Sequence, residues 1–217
     1  MKRKLLFTIT AIGICLLFGP LKTRAQSSDL PKYEVGVDFS SITFAPGQTE
    51  LGLGGRLTYN LNKHVALEGA GYFFPSNCEF CSRNRITEGL FGVKVGKRFA
   101  KWGIFAKVRP GVLNFSDGQF DFVLITTNPP LGTPMFNFQT RRLTTFVVDV
   151  GGVLEFYPSK RIVTRLDFGN TIIHYPSRTN TFPIFDSTTG TYVLAPFKIS
   201  AETRGSIQIM AGVGFRF

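Results

Sequence analysis

The strongest constraint on this chain is the period-two alternation of residues 206–217, where an apolar side chain takes every second position up to a final phenylalanine. Ile207, Ile209, Ala211, Val213, Phe215 and Phe217 share one face of an extended strand, and Gln208, Met210, Gly212, Gly214 and Arg216 share the other. The pattern recurs, giving eight segments at about residues 33–42, 51–61, 65–74, 87–99, 104–114, 143–156, 161–169 and 206–217. In each, one face carries Val, Leu, Ile or Phe, while the other mixes glycine with charged residues. Pro110 falls on the apolar face of the fifth segment and lacks an N–H, so it predicts a local bulge or a missing ladder bond.

The residues of the second face decide which way the strands face. A water-soluble barrel would bury the Val, Leu and Phe face and show glycines to water, where they contribute little solubility, and eight strands leave an interior only wide enough for side chains. The reverse assignment puts apolar side chains against lipid and collects the ionisable ones in the lumen. The inward acids are then Glu34, Asp38, Glu68, Glu88, Asp149, Glu155 and Asp167. The inward bases are Arg56, Lys94, Arg98, Lys107, Arg109, Arg165 and Arg216. Charges removed from water must be paired, so this balance predicts a lumen filled by a salt-bridge network. A helical membrane protein is excluded because no run of about 20 apolar residues follows the leader.

Residues 1–25 have the form of a secretory signal: Lys2, Arg3 and Lys4, an apolar core from Leu5 to Phe18, and Thr23-Arg24-Ala25 as the cleavage site. Cys15 lies inside that core and reads as an ordinary member of it. The whole chain has 25 basic and 14 acidic residues. The leader holds Lys2, Arg3, Lys4, Lys22 and Arg24, so the processed chain falls from +11 to about +6. Its cations are scattered singly along the sequence, which argues against nucleic-acid binding. Residues 26–217 show no linker or shift in composition and read as one domain.

Connections alternate in length. Turns at about 62–64, 100–103 and 157–160 are short, whereas those near 43–50, 75–86, 115–142 and 170–205 are longer. Short turns on one rim and long loops on the other are a mark of outer-membrane barrels, and an even strand count returns both chain ends to the short-turn, periplasmic side.

The eight-segment pattern, together with the stretches at 149–156, 165–169 and 212–217, resembles the small outer-membrane β-barrel family of OmpA/OmpX type over about residues 30–217. The resemblance implies an all-β, eight-stranded antiparallel transmembrane barrel in the bacterial outer membrane, with membrane lipid as its surroundings. It also implies an assembly signal read by the barrel-assembly machinery, with Phe217, Phe215 and Val213 matching it. Fold carries no activity by itself.

The remaining chemistry is sparse. Cys78 and Cys81 form a C-x-x-C in the second long loop, and an oxidising envelope favours a local disulfide. A metal site would need further ligands, a thioredoxin-like role would need a βαβ setting, and no cofactor is expected. His174 and Ser177 raise the alternative of a lipid A hydrolase with Asp186 or Glu202 as the orienting acid. Their three-residue spacing across Pro176 puts them on opposite faces of an extended strand, so no enzyme is expected. His64 reads as a solvated turn residue.

The third and fourth long loops are rich in Phe, including Phe115, Phe120, Phe122, Phe136, Phe138, Phe182, Phe185 and Phe197. The expectation is that strands continue past the membrane there as a hairpin wall turning at 128–132. The same aromatics could offer a ligand or partner an apolar surface. The expected function is a structural or interaction barrel with a closed, charge-paired lumen that displays four extracellular loops. A narrow pore for small solutes is the other alternative, tested by conductance before and after breaching the network with Glu155→Ala.

Overall fold

A computed structural model of the chain describes residues 31–75, 85–125, 135–188 and 190–217. The leader at 1–25, Cys78, Cys81 and the turn expected at 128–132 lie outside the described residues.

Among the described residues ten strands form: β1 (Tyr33–Ala45), β2 (Gln48–Asn60), β3 (Val65–Phe74), β4 (Ile86–Arg98), β5 (Trp102–Ile125), β6 (Met135–Phe156), β7 (Ile162–Tyr175), β8 (Arg178–Asp186), β9 (Thr191–Ile199) and β10 (Glu202–Arg216). Eight of them close into an antiparallel barrel in the order β1-β10-β7-β6-β5-β4-β3-β2, and β8 and β9 pair as a separate two-stranded sheet. Closure runs through β1 and β10, from Glu34 opposite Arg216 to Thr43 opposite Ile207. It is completed by reciprocal backbone bonds of 3.0 Å between Tyr33 and Phe217. The first and last strands therefore end side by side on one rim, called here the terminal rim.

Alternation survives in three dimensions. Val37, Leu53, Leu57, Phe91 and Ile207 are all more than half exposed on the outside of the barrel, while Glu34, Arg109 and Glu155 are 0–1% exposed within it. At Pro110 the β4–β5 ladder omits two pairs between Leu90↔Gly111 and Val93↔Val108, then resumes in the same register. The missing N–H thus costs ladder bonds without inserting a bulge.

Inward glycines let neighbouring strands approach. A Cβ on Gly151 would stand 2.2 Å from the Phe168 carbonyl oxygen and 2.5 Å from the Gly169 Cα, both backbone atoms of β7. Gly151→Ala is therefore expected to cost about 1–3 kcal/mol or more in refolding titrations. Gly69→Ala, whose methyl would meet only the Phe91 ring at 3.8 Å, should be tolerated in the same measurement.

Three connections differ from the sequence expectation. The loop placed at 43–50 is a tight turn, because Thr43 pairs with Thr49 and Ala45 with Gln48. Proline presets the turn and Gly47 takes φ 80°, the type II pattern. The loop placed at 115–142 is mostly strand, since β5 and β6 run 24 and 22 residues and keep pairing out to Ile125↔Met135. A bulge between Phe115 and Gln119 separates the barrel part from this extension. Gly118 makes the bulge possible, since a Cβ there would lie 2.6–2.7 Å from Leu143 and Phe115 Cβ atoms. The Asp117 carboxylate pins it, accepting from Thr140 Oγ1 at 2.6 Å and Ser116 Oγ at 2.9 Å. Those two hydroxyl bonds hold its carboxyl below the usual carboxylate range. Within the stretch 170–205, β7 extends to Tyr175 and β10 begins at Glu202, leaving β8 and β9 as an insertion between them.

Candidate functional site

Inward residues stack in layers along the barrel axis, set by the strand registers. The layer nearest the terminal rim is ionic. Arg109 donates from Nε to Asp149 Oδ2 at 2.8 Å and from Nη1 to Glu68 Oε1 at 2.6 Å. Arg165 Nη2 donates to Glu68 Oε1 at 2.8 Å and to Asp167 Oδ2 at 2.7 Å. Lys107 Nζ bridges Asp149 and Asp167 at 2.9 and 3.1 Å. Lys94 pairs with Glu155 and approaches Glu34 and Glu68 at 3.8 and 3.9 Å. Arg98 reaches Glu34 at 3.2 Å. These five acids and five bases form one connected cluster, and Arg56 with Asp38 makes a sixth, separate pair.

Two of the fourteen inward charges stand outside these pairs. Glu88 Oε2 accepts from Gln208 Nε2 at 2.8 Å, and Gln208 also reaches Ser40 at 3.1 Å. Glu88 stands within the apolar part of the lumen, because its strand neighbours Ile86 and Leu90 and its cross-strand partners Tyr72 and Leu113 all belong to one buried apolar cluster. Arg216 lies with its guanidinium 4.2 Å from the centre of the Tyr157 ring and donates to the Ser159 carbonyl at 3.1 Å. It therefore belongs to the rim, not to the carboxylate network. Tyr157 donates to Glu155 Oε2 at 2.8 Å. Burial, then the adjoining Glu155 charge, push its hydroxyl above the ordinary phenol range, so it stays a donor.

The lumen is also less polar than the sequence reading has it. Around Glu88 and on toward the rim opposite the termini, Ile42, Tyr72, Phe74, Leu113, Val147 and Ile173 belong to that buried apolar cluster, with Phe44 and Tyr175 against it. These apolar residues share the inward face with the charges, so alternation alone does not mark them off.

Above this plug, the extension of β5 and β6 supports the β8–β9 sheet. Asp121 Oδ1 accepts from the Thr181 backbone N–H at 3.1 Å, and Thr181 Oγ1 donates to the Phe122 carbonyl at 3.0 Å. Phe120, Phe122, Phe138, Phe182 and Phe197 pack ring against ring at 5.8–6.0 Å. Phe185 and Tyr192 form a second ring contact at 5.4 Å, both more than half exposed. The expected hairpin wall therefore forms from β5 and β6, but β8 and β9 make their own sheet and do not continue β7 and β10.

Among the described residues His174 and Ser177 share no hydrogen bond. His174 lies exposed, with Nδ1 3.0 Å from Thr203 Oγ1, and Glu202 accepts from Arg204 at 2.7 Å. His64, in the β2–β3 turn, contacts the Gly96 carbonyl at 3.0 Å. Val213, Phe215 and Phe217 lie on the outer face, 47–62% exposed.

Eight antiparallel strands closed on themselves, apolar outside and ion-paired within, define a closed β-barrel of inverted polarity, the architecture that lipid-facing barrels share. No protein-family profile and no curated sequence matches the chain. Among solved structures, Neisserial surface protein A is similar at 11% identity and a TM-score of 0.49, over 86% of this chain and 97% of that one. The N-terminal β-barrel domain of Pseudomonas aeruginosa OprF is similar at 14% identity and a TM-score of 0.40, over 85% and 97%. Ail, the attachment invasion locus protein of Yersinia pestis, is similar at 13% identity and a TM-score of 0.42, over 85% and 96%. The likeness in each case is one of strand arrangement.

Proposed function

We propose that this chain is exported through its leader, folds into the bacterial outer membrane, and serves there as a structural and interaction barrel rather than as an enzyme or pore. The observation that carries the reading is the inverted distribution of side chains. A continuous belt including Val37, Leu53, Phe91, Val108, Val150, Phe168 and Ile209 is exposed, while Lys94, Lys107, Arg109, Asp149 and Glu155 are buried to within 1% of completely. Water cannot stabilise that belt, and hydrocarbon can. The exposed Val213, Phe215 and Phe217 suit recognition by the barrel-assembly machinery. The aromatic β8–β9 sheet and the β5–β6 extension suit contact with an external partner.

Membrane residence is tested by cell fractionation followed by gel mobility with and without boiling. A folded, closed barrel should migrate differently after heating, and recovery of the native chain in the soluble fraction would defeat the reading. In planar bilayers the wild type should show no steady conductance. Glu155→Ala should leave it closed as well, because the apolar layer around Phe74, Leu113 and Ile173 lies in series with the ionic one. A stable open channel in either protein would favour the pore.

A further inference from the structure

The cations that are scattered along the sequence gather in space at the terminal rim. A cavity of about 1310 Å³ opens there, lined by Lys32, Lys63, Arg98, Lys160, Arg161 and Arg216. These residues come from the approach to β1, the β2–β3 turn, the end of β4, the β6–β7 turn and the end of β10, so strand closure is what assembles them. Among the described residues no acidic side chain lines the cavity. The described side-chain carboxylates lie either in the lumen or toward the opposite rim, and the Phe217 α-carboxylate is the anionic group at this one.

A second observation concerns the two arginines at its floor. The Arg98 side chain and Arg216 are each only 7% exposed, and although Arg98 pairs with Glu34 and lies 3.8 Å from Glu155, Arg98 Nη1 and Arg216 Nε have no hydrogen-bond partner among the described residues. Arg216 is held between the Tyr157 ring and the Ser159 carbonyl, and Arg98 is anchored through Nη2 to Glu34 and Asn60. Their guanidinium groups are thus fixed in place before any ligand arrives. A fixed planar fork suits an oxyanion, and a rim of further cations favours one with more than a single negative charge.

We infer that the terminal-rim mouth of the barrel is a binding site for phosphate-bearing anions, either the headgroup of an anionic phospholipid from the adjoining leaflet or a soluble phosphate compound. Four exposed cations supply the attraction and the two buried arginines supply the directed bonds. The site adjoins the ionic layer at its outer end and shares Arg98 with it. Trp102, the single tryptophan, stacks at 4.2 Å on Phe99, which also lines the cavity, and provides an optical reporter.

The test uses the processed chain in neutral detergent, titrated with inorganic pyrophosphate by calorimetry and Trp102 fluorescence. A parallel arm uses nanodiscs of phosphatidylcholine with and without phosphatidylglycerol. Saturable binding that weakens with salt is expected in at least one arm. Pyrophosphate binding assigns the site to soluble phosphates, and a response to phosphatidylglycerol alone assigns it to lipid. Lys160→Gln with Arg161→Gln lies in an exposed turn and should weaken binding about tenfold or more, with heat-shifted mobility unchanged. Arg141→Gln with Arg142→Gln, of equal charge change at the opposite rim, should leave binding intact. No binding in either arm, or equal loss in both double variants, overturns the inference. The detergent arm does not depend on where the barrel resides in the cell.

Discussion

Arg109→Met is expected to lower the unfolding free energy of the barrel, measured by urea titration in lipid vesicles, by about 3–5 kcal/mol. The guanidinium is 0% exposed and bonds to Glu68 on β3 and Asp149 on β6. Methionine keeps much of the volume, so the loss reports the stranded carboxylates and not a cavity. The isolated pair supplies the contrast. Arg56 and Asp38 bind each other and no other charge among the described residues. Replacing both together, Arg56→Met with Asp38→Leu, should be close to neutral, since an apolar pair of similar size often does as well as a buried ion pair. Replacing Asp38 alone should be costly. If Arg109→Met costs no more than the Arg56/Asp38 double replacement, the cluster is not acting as a connected network.

Val150→Lys should cost about 2–4 kcal/mol in the same titration. Val150 is 41% exposed on the outer face of β6, opposite Val108 of β5, in the middle of the apolar belt. A lysine there would have to hold an ammonium in hydrocarbon or reach a distant headgroup. Lys at Thr144, a polar and exposed position beyond that belt on the same strand, should cost about 0–1 kcal/mol. Equal costs at both positions would mean that depth in the bilayer does not matter and that this face does not meet lipid.

The alternation in β1, β2 and β10 made both faces of the barrel legible in the sequence, and each of the fourteen inward charges lies on the inner face. Height along the axis was less accessible. Glu88 alternates with its neighbours as Lys94 does, yet one bonds to Gln208 and the other to Glu155. Only the cross-strand registers reveal that Glu88 stands inside the apolar plug, opposite Tyr72 and Leu113. The same limit hid the rim cavity. Lys63, Lys160 and Arg216 lie far apart in the chain, and a linear scan for basic clusters passes over them. Pro110 could be read because its effect is local, a missing donor in one ladder. The first loop was misjudged for the opposite reason: alternation fades after Ser41, although the backbone pairing persists to Ala45.

The insertion between β7 and β10 has one more consequence. Tyr175 and Glu202 are direct partners across those strands, and the β8–β9 sheet hangs from connectors of only two residues at each end. Everything from 176 to 201 is therefore an appendage on a cylinder already complete without it, joined where a simple hairpin would suffice. Such an arrangement makes a natural docking port for transplanted peptides. In the proposed outer-membrane setting, sequence drift in the appendage would change what the barrel displays while leaving the eight-stranded ring itself untouched.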